Sequence, residues 1–529
     1  MRTVMRIAAA GTVTLTLAAC GGTADPAGSQ NLVNGKTFTM VLPGDPGNLD
    51  PHFTSLAVTM QVDRFLYDSL IAIDKDGKTV PGLAEKWDTT TTTATFTLRK
   101  GITCSDGSPL TAATVAANIS FVGDPKNSSS RIGVYVPPGA TATADEAAGT
   151  VTVTSPVPHS FLDRAIGQLH IVCDKGMQDR SVLKQGASGT GLFKVTEVVP
   201  GDHFTLERRK DYAWGPGDWK ADQQGLPDRV TLRIVANEST AVNLLLSGEV
   251  NAAGVIGPDQ QRLQAQKTLQ RDVMAMFGEL WFNQKPGLPG ADVAVRRGLT
   301  QALDLGQLTQ VLTSGTGQLA KGLVAPGMTP CDPDTISGKL PAHDVEKAKA
   351  TLDDAGWRAG PDGIRVKDGK RLAITIYYTT ELGTTMQATA ELMQKFWQPI
   401  GVEVALKGAT HAELSQVIVA GQGSWDVGIV PLNVSTPGET VPFVSGPTPP
   451  NGTNFAGIQN AKYAALVQEA SSIAGTAGCG KWAETEQALA ESVDVVPFAN
   501  TNRPIFGKGA TFELTVGSVA PSTIRMLGA

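Results

Sequence analysis

The chain has 529 residues, of which 41% are hydrophobic, and its 44 basic and 50 acidic residues give a formal net charge of −6. This length is enough for more than one hydrophobic core. The absence of a basic excess argues against nucleic-acid binding and against recruitment to acidic lipid.

The first twenty residues carry a targeting signal. Two arginines precede an apolar run at residues 7–19, which is too short to span a bilayer as a mature helix and is typical of a signal peptide. Small residues before Cys20 are similar to the lipobox of bacterial lipoproteins. We therefore predict a signal peptide at 1–19 and a lipidated, flexible tether at 20–35, with ordinary secretion as the alternative. The predicted location is outside the cytoplasm, anchored to the outer face of the cell membrane.

Residues 49–119 contain several short signals in a fixed order. Residues 93–98 are β-favouring and end at a glycine, Asp106-Gly107 is a strong turn signal, and Thr111 can cap a helix with one apolar face. The motifs are LDP at 49–51, FLYDSLIAID at 65–74, PGLAEKWD at 81–88, TATFTLRKGI at 93–102 and SDGSPLTAATVAANI at 105–119.

Taken in this order, the motifs resemble the extracellular solute-binding proteins, family 5, of oligopeptide, dipeptide and nickel ABC importers. The resemblance implies an α/β fold of the large two-lobed periplasmic-binding-protein type II, with mixed sheets and a hinge of two crossing strands. Lobe I is expected at 36–276 plus 495–529, with a subdomain at about 62–185, and lobe II at 277–494.

The later segments extend this resemblance over nearly all of the mature chain. Residues 188–215 resemble the family's hairpin, and a "GEVN" return carries Asn251 where the family usually has Asp. Residues 278–284 are predicted to be a strand that crosses into lobe II, and 493–500 a strand that returns. Residues 372–406 have the pattern of a β-α-β unit, which predicts two parallel strands.

Four cysteines remain after Cys20, an even number in an oxidising compartment, and they allow three pairings. Buried free thiols are the alternative. A bridge inside the second lobe is frequent in the resembled family, which implies Cys331 with Cys479 and leaves Cys104 with Cys173.

The sequence contains two partial matches to catalytic motifs, and each lacks a residue that the motif requires. Residues 475–481 fit GxxxxGK, but Trp482 replaces the Ser or Thr that would hold magnesium. Ser188 lies in a sequence that lacks the second glycine of a nucleophile elbow. The six histidines are scattered and form no metal-binding pair. We therefore predict neither an enzyme, nor a cofactor, nor a metal site.

The family resemblance also implies where a ligand would bind. The first group is the loop after the first strand and the segment that follows the LDP motif, where main-chain groups can pair with an extended peptide. The second group consists of three aromatic residues and a turn in lobe II, although an aromatic residue at a strand end usually belongs to the core. These predicted residues are Pro43, Gly44, Asp45, Thr54, Ser55, Leu56, Trp281, Trp425, Asn433, Val434, Ser435, Glu439 and Phe443.

One departure from the family concerns the ligand's amino group. Peptide-binding members carry a W-x-x-D turn whose Asp pairs with the free α-amino group, and Ser435 stands at this position here. A buried ammonium without its counter-charge costs roughly 3–5 kcal/mol. Either Glu439 or Asp426 supplies the charge, or the ligand is not a conventional peptide.

Two functions follow from these observations. The first is a lipid-anchored, monomeric receptor that captures a small peptide or peptide-like ligand between its lobes by hinge closure and delivers it to the transmembrane subunits of an ABC permease. The second is a sensor or carrier on the same fold, without its own permease, that binds haem, a nickel chelate or a glycan. A permease gene next to this one would favour the first.

Overall fold

The computed structural model describes residues 31–54, 56–257 and 259–528. The predicted signal peptide, Cys20, most of the tether and Ser55 lie outside these residues. No helix in the described part is long and apolar enough to cross a membrane.

The chain forms strands and helices in an order that alternates between two lobes. The first part contains β1 (Thr37–Leu42), α1 (Ala57–Leu66), β2 (Ile71–Ile73), β3 (Thr79–Pro81), β4 (Ala84–Thr89), β5 (Thr93–Leu98), α2 (Ala112–Gly123), β6 (Thr141–Asp145), β7 (Thr150–Thr154), α3 (Leu162–Gly167), α4 (Asp174–Gln178), β8 (Phe193–Val199), β9 (His203–Arg208), β10 (Arg229–Ile234), α5 (Glu238–Ser247), β11 (Ala252–Gly254), α6 (Gln260–Ala265) and β12 (Leu269–Phe282). The middle part contains α7 (Val293–Gln301), α8 (Leu305–Leu312), α9 (Val345–Asp354), β13 (Arg358–Ala359), β14 (Arg365–Lys367), β15 (Lys370–Arg371), β16 (Ala373–Thr379), α10 (Thr384–Trp397), β17 (Glu403–Ala409), α11 (His411–Leu414), β18 (Val427–Ile429), α12 (Val441–Val444), α13 (Ala461–Ser471) and α14 (Cys479–Glu491). The last part contains β19 (Val495–Gly507), β20 (Ala510–Thr511), β21 (Leu514–Thr515), β22 (Ser518–Val519) and β23 (Arg525–Met526).

One mixed sheet passes through both lobes. Its strand order is β17-β16-β18-β12-β19-β11-β1-β10-β9-β8. The last five strands of this order belong to lobe I and the first three to lobe II. The two long central strands, β12 and β19, therefore connect the lobes.

The two connecting strands run antiparallel from Leu269 opposite Gly507 to Trp281 opposite Val495. Their register shifts twice between Met276 and Glu279: β12 has an extra residue at the first shift and β19 at the second. Such irregularities bend a strand and increase its local twist. Both predicted crossing strands, at 278–284 and 493–500, overlap these strands.

A smaller sheet, with the order β4-β5-β7-β6, lies within the predicted subdomain of lobe I. The predicted helix after it is present as α2, and the Thr111 side chain accepts a hydrogen bond from Thr114 N, as a helix cap does. Val115, Ile119 and Val122 on its inner face are completely buried.

The predicted β-α-β unit of lobe II is also present, with β16 and β17 parallel and α10 between them. The helix ends at Trp397 and continues as a 3₁₀ turn over Gln398–Ile400. Pro399 has no N–H to donate within a helix, and Gly401, at φ +82°, leaves the helix in the left-handed region.

Two disulfides lie in different lobes. Cys104 is bonded to Cys173 in lobe I, and Cys331 to Cys479 in lobe II. These are the two pairings that the family resemblance implies.

The lobes also touch away from the connecting strands, at a contact that we call the Ser160 junction. The Ser160 hydroxyl of lobe I donates to Ala470 O at 2.7 Å and accepts from Trp482 Nε1 at 3.0 Å. Its carbonyl accepts from Gly475 N at 2.7 Å. Phe161 packs on Ala470 and Trp482 beside these bonds. The junction thus holds the subdomain of lobe I against α13 and α14.

Candidate functional site: a cavity in lobe I

A cavity of about 330 Å³ lies inside lobe I. Its volume is at the lower end of the range for pockets that enclose small organic ligands. Four parts of the chain form the wall: one face of α1, the segment from Asp68 to Lys75, the loop from Tyr212 to Gly217 and the segment from Glu513 to Thr523. The wall is completed by Val80, Gly82, Tyr135, Gln168, His170 and Leu192.

A turn that continues from the cavity wall contacts lobe II, although the residues that line the cavity all belong to lobe I. Gly77 lies in the same turn as Asp74 and Lys75 of the wall, and a Cβ built on it would be 3.4 Å from Gly327 O of lobe II. The wall is therefore next to the seam between the lobes.

Helix α1 contributes three residues to the wall, because residues three or four positions apart lie on the same face of a helix. Met60, Arg64 and Tyr67 are spaced by four and three positions and so share one face. Phe65 and Leu66 point to the other side and are buried in the lobe I core. The same helix therefore closes the core and lines the cavity.

Arg64 is the basic residue of this face, and it is partly buried. Its Nη1 donates to Thr515 Oγ1 at 2.6 Å, and it forms no salt bridge with any residue in 31–54, 56–257 or 259–528. Burial lowers the pKa of the guanidinium from its ordinary value. An arginine stays protonated in proteins, so Arg64 brings one positive charge to this wall.

The Asp68 carboxylate of the wall accepts hydrogen bonds from two side chains of the protein. Tyr212 Oη donates to Oδ1 at 3.1 Å and Trp214 Nε1 donates to Oδ2 at 3.0 Å. Burial raises the pKa of this carboxyl to about 6, against the opposing effect of these hydrogen bonds. Asp68 therefore fixes two aromatic residues of the wall rather than facing a ligand.

His170 is a neutral group of the wall. Burial, together with the positive charges of Arg64 and Arg131, lowers the pKa of its imidazole to about 3. Its ring stacks on Tyr67 with 6.4 Å between ring centroids. At neutral pH it offers hydrogen bonds but no charge.

Of the ligand residues predicted in lobe I, Pro43, Gly44, Asp45, Thr54 and Leu56 lie outside the wall of this cavity. Pro43 and Asp45 are exposed, Gly44 is half-buried, and the Asp45 carboxylate accepts from Gly47 N at 2.8 Å. Thr54 is buried and its hydroxyl accepts from Leu56 N at 3.2 Å. The Leu56 side chain is 55% exposed and so is free to meet a ligand.

The predicted tryptophans of lobe II lie in its core. Trp281 is completely buried, and its Nε1 donates to Val430 O at 2.9 Å. Trp425 is 1% exposed, and both rings pack against Phe455. Phe443 is half-buried at the edge of the same cluster. The two tryptophans thus have the packing role that is usual for an aromatic residue at a strand end.

The predicted turn of lobe II is held by its own hydrogen bonds. Asn433 exchanges two hydrogen bonds with the main chain of Met276 in β12, and Val434 is buried. Glu439 is 4% exposed and accepts from Ser435 N at 2.9 Å and from Ser435 Oγ at 2.6 Å. Burial raises the pKa of the Glu439 carboxyl.

Asp426 is engaged as well. Its Oδ2 accepts from Thr375 N at 2.9 Å. It lies at the end of β18 that is away from the turn, beside Asn283. Neither of the two acids proposed to replace the missing Asp therefore presents a free carboxylate.

The sequence comparison decides the family. A model of the family described as "Bacterial extracellular solute-binding proteins, family 5 Middle" matches residues 78–446. The chain belongs to this family. Its members are solute-binding proteins of ABC importers and not enzymes.

Two curated relatives illustrate the match. Protein XP55 of Streptomyces lividans is 29% identical over 355 residues, which is 65% of this chain and 62% of the relative, so the match spans less than two thirds of that protein. The glutathione-binding protein GsiB of Salmonella typhimurium is 27% identical over 396 residues, 72% of this chain and 71% of the relative.

Solved structures of the family share the fold. A substrate-binding protein of Microbacterium hydrocarbonoxydans, complexed with 4-hydroxybenzoate hydrazide, has a TM-score of 0.74 at 24% identity and covers 93% of this chain and 100% of its own. The oligopeptide-binding protein AppA of Bacillus subtilis, in complex with a nonapeptide, has a TM-score of 0.77 at 19% identity, with coverages of 94% and 100%. The predicted fold class is thereby confirmed.

Sequence reasoning missed the wall of the cavity. Arg64 stands among apolar neighbours in a helix, and this is the one local signal that could have singled it out. Its partner Thr515 is 451 residues away in sequence. In residues 31–54, 56–257 and 259–528, no group of three or more acidic, histidine or cysteine side chains is arranged to hold a metal ion.

Proposed function

We propose that this protein is the lipid-anchored substrate-binding component of an ABC importer. It captures a small peptide or peptide-like solute between its lobes and presents it to a membrane permease. The observation that carries this proposal is the pair of long strands, β12 and β19, that connects two lobes within one sheet.

Hinge closure is supported by the arrangement of the connecting strands. Regular pairing of β12 with β19 is interrupted between Met276 and Glu279, so bending there disturbs few ladder hydrogen bonds. The Ser160 junction consists of three hydrogen bonds and one small apolar cluster, a contact small enough to open when the lobes move apart. A ligand that contacts both lobes stabilises the closed state, because it binds that state more tightly than the open one.

A peptide-like ligand is supported by the names of relatives. One is a glutathione-binding protein, and one solved structure holds a nonapeptide. Glu439 and Asp426 both accept hydrogen bonds from within the protein, which supports a ligand that does not depend on them for its amino group.

Native mass spectrometry of residues 21–529 tests this function. The protein is exposed to short peptides with free amino termini, to the same peptides acetylated, and separately to chelates and sugars. We expect binding of short peptides, with the acetylated pool bound at least as well as the free one. Small-angle scattering should then show a smaller radius of gyration with ligand. No binding from any pool and no compaction would overturn the proposal.

The anchor is tested separately. Cells that express the full chain are labelled with palmitate, and a Cys20→Ser variant is compared with the wild type. We expect label and membrane retention in the wild type alone. Equal release of both proteins into the medium would favour ordinary secretion.

A further inference from the structure

Lobe II holds the two connecting strands from both of their outer edges at one level. Met276 of β12 and Asn500 of β19 lie opposite each other, immediately before the first shift in register. Beyond β19, Gln318 of lobe II exchanges two main-chain hydrogen bonds with Asn500, at 2.9 and 2.8 Å. Beyond β12, the Asn433 side chain of lobe II accepts from Met276 N at 2.9 Å and donates to Met276 O at 3.2 Å. These four residues form a row across the hinge.

The Asn433 bonds span the point at which β12 passes from one lobe to the other. Met276 is followed by Phe277, the extra residue at the first shift. Phe277 is 3% exposed and packs in the core of lobe II. Bending at the shift therefore moves Met276 relative to the lobe II core, and it changes the distance between Met276 and Asn433.

The turn that carries Asn433 is also bonded to β12 beyond the irregular segment. Val430 N donates to Glu279 O at 3.0 Å, and Leu432 N donates to the Glu279 side chain at 2.8 Å. The turn thus contacts β12 before the first shift, at Met276, and after the second, at Glu279. It therefore bridges the part of β12 where regular pairing is interrupted.

The conformation with the lobes in contact has an unfavourable feature in the same row. Asn500 is 1% exposed, and its Oδ1 has no hydrogen-bond partner within the described part of the chain. A buried acceptor without a partner is costly, and it would gain water as a partner if bending opened the hinge at this level. Favourable contacts at the hinge have to offset this cost. Asn433 makes its two contacts through the side chain, so a substitution can remove them.

We propose that Asn433 is a positioning residue for closure: its two hydrogen bonds to Met276 hold the hinge in the conformation in which the lobes touch. This inference rests on the proposed function and assigns part of its closing step to one residue. The family resemblance places Asn433 at the ligand, but both polar groups of its side chain bond to β12. A solute that contacts this turn would act on the hinge through Asn433.

Asn433→Ala, in a protein of residues 21–529, tests this role without any solute. Asn433 is exposed, so the variant should fold. We expect the Met276 and Asn500 amides to exchange their hydrogens about tenfold faster, and the radius of gyration from small-angle scattering to increase. Asn433→Asp keeps the acceptor for Met276 N and loses the donor, so its results should be intermediate.

Asn251→Ala is the matched control. Asn251 is half-buried in lobe I, and its side chain also makes two bonds to the main chain: it accepts from Thr39 N and donates to Lys508 O, both at 2.9 Å. We expect this variant to lose about as much thermal stability as Asn433→Ala. Its radius of gyration and the exchange at Met276 and Asn500 should equal those of the wild type.

Peptide binding separates this inference from the proposed function. Asn433→Ala should bind less of the free and acetylated peptide pools than the wild type does, and Asn251→Ala an equal amount. Scattering and hinge exchange that are unchanged in Asn433→Ala would overturn the role of Asn433, whether or not peptides bind. The expected changes at the hinge, with no solute bound by any of the three proteins, would uphold that role and overturn the proposed function.

Discussion

Two arginines on helices, one in each lobe, have opposite surroundings. Arg296 on α7 of lobe II is 5% exposed and is saturated: it donates to Val493 O, Gly290 O and Ser492 O, and to Asp494 Oδ1 at 3.0 Å. Arg64 on α1 of lobe I has one hydroxyl as its partner and borders a cavity. The first arginine holds the protein together, and the second remains available to a ligand.

The difference extends to the lobes themselves. The predicted ligand groups of lobe II satisfy one another, as Glu439 and Ser435 do. Lobe I keeps an unpaired guanidinium at its cavity and, behind it, a buried Asp63 whose two carboxylate oxygens have no hydrogen-bond partner. Burial raises the pKa of the Asp63 carboxyl well above its ordinary value. Unpaired polar groups are costly in a core, and their retention is typical of binding sites.

The two arginines should differ most in their contribution to the free energy of unfolding. Arg296→Met leaves Asp494 buried without its charged partner, and we expect a loss of roughly 3–5 kcal/mol in the free energy of unfolding. Arg64→Gln removes no ion pair, and we expect a change below about 1 kcal/mol. Urea unfolding followed by circular dichroism measures both. Equal losses in the two variants would show that Arg64 is a structural residue after all.

The Ser160 junction tests whether the lobes depend on each other. Ser160→Ala leaves the Trp482 N–H and the Ala470 carbonyl without partners, at a cost of about 1–3 kcal/mol in the lobe-to-lobe contact. We expect a larger radius of gyration without ligand, and weaker ligand binding. Ser472→Ala, at an exposed serine of lobe II, is the control. Unchanged scattering and affinity would contradict a role of this junction in closure.

Glu279 lies at the shift in register between the connecting strands. We expect it to make the free energy of unfolding depend on pH, with a smaller effect than that of Arg296→Met or Ser160→Ala. It is 1% exposed, Leu432 N donates to it at 2.8 Å, and burial raises the pKa of its carboxyl to about 8. From pH 4.5 to 8 the unfolded chain loses this proton and the folded chain keeps it, so the free energy of unfolding falls as the pH rises.

Glu279→Gln should remove this dependence. One unit of pKa corresponds to about 1.4 kcal/mol. We therefore expect the free energy of unfolding of the variant to be higher than that of the wild type by about 1 kcal/mol or more at pH 8, with a smaller difference at pH 5. Urea unfolding at the two pH values measures this. Parallel pH profiles of the two proteins would show that Glu279 is ionised in the fold.

Local patterns predicted the elements of this fold well. Thr111 caps its helix, β16 and β17 are parallel, and the crossing segments are strands, because capping, periodicity and turn chemistry act within a few residues. The cavity depends on contacts between residues 60 and 523, which no local pattern encodes. The lobe II loop was predicted by alignment with a family motif, and the alignment carried no information on the bonds between Ser435 and Glu439.

The path of the chain through the shared sheet also sets an order of folding. Within lobe I, β11 and β12 are separated by β19, which begins at Val495. Lobe II is built from one continuous stretch of sequence between the two connecting strands, so it can fold as soon as that stretch is available. Lobe I has to keep a gap in its sheet until the last 35 residues arrive, with strand edges open to pairing with other chains. A protein shortened at its C-terminus would therefore lose the lobe that begins the sequence.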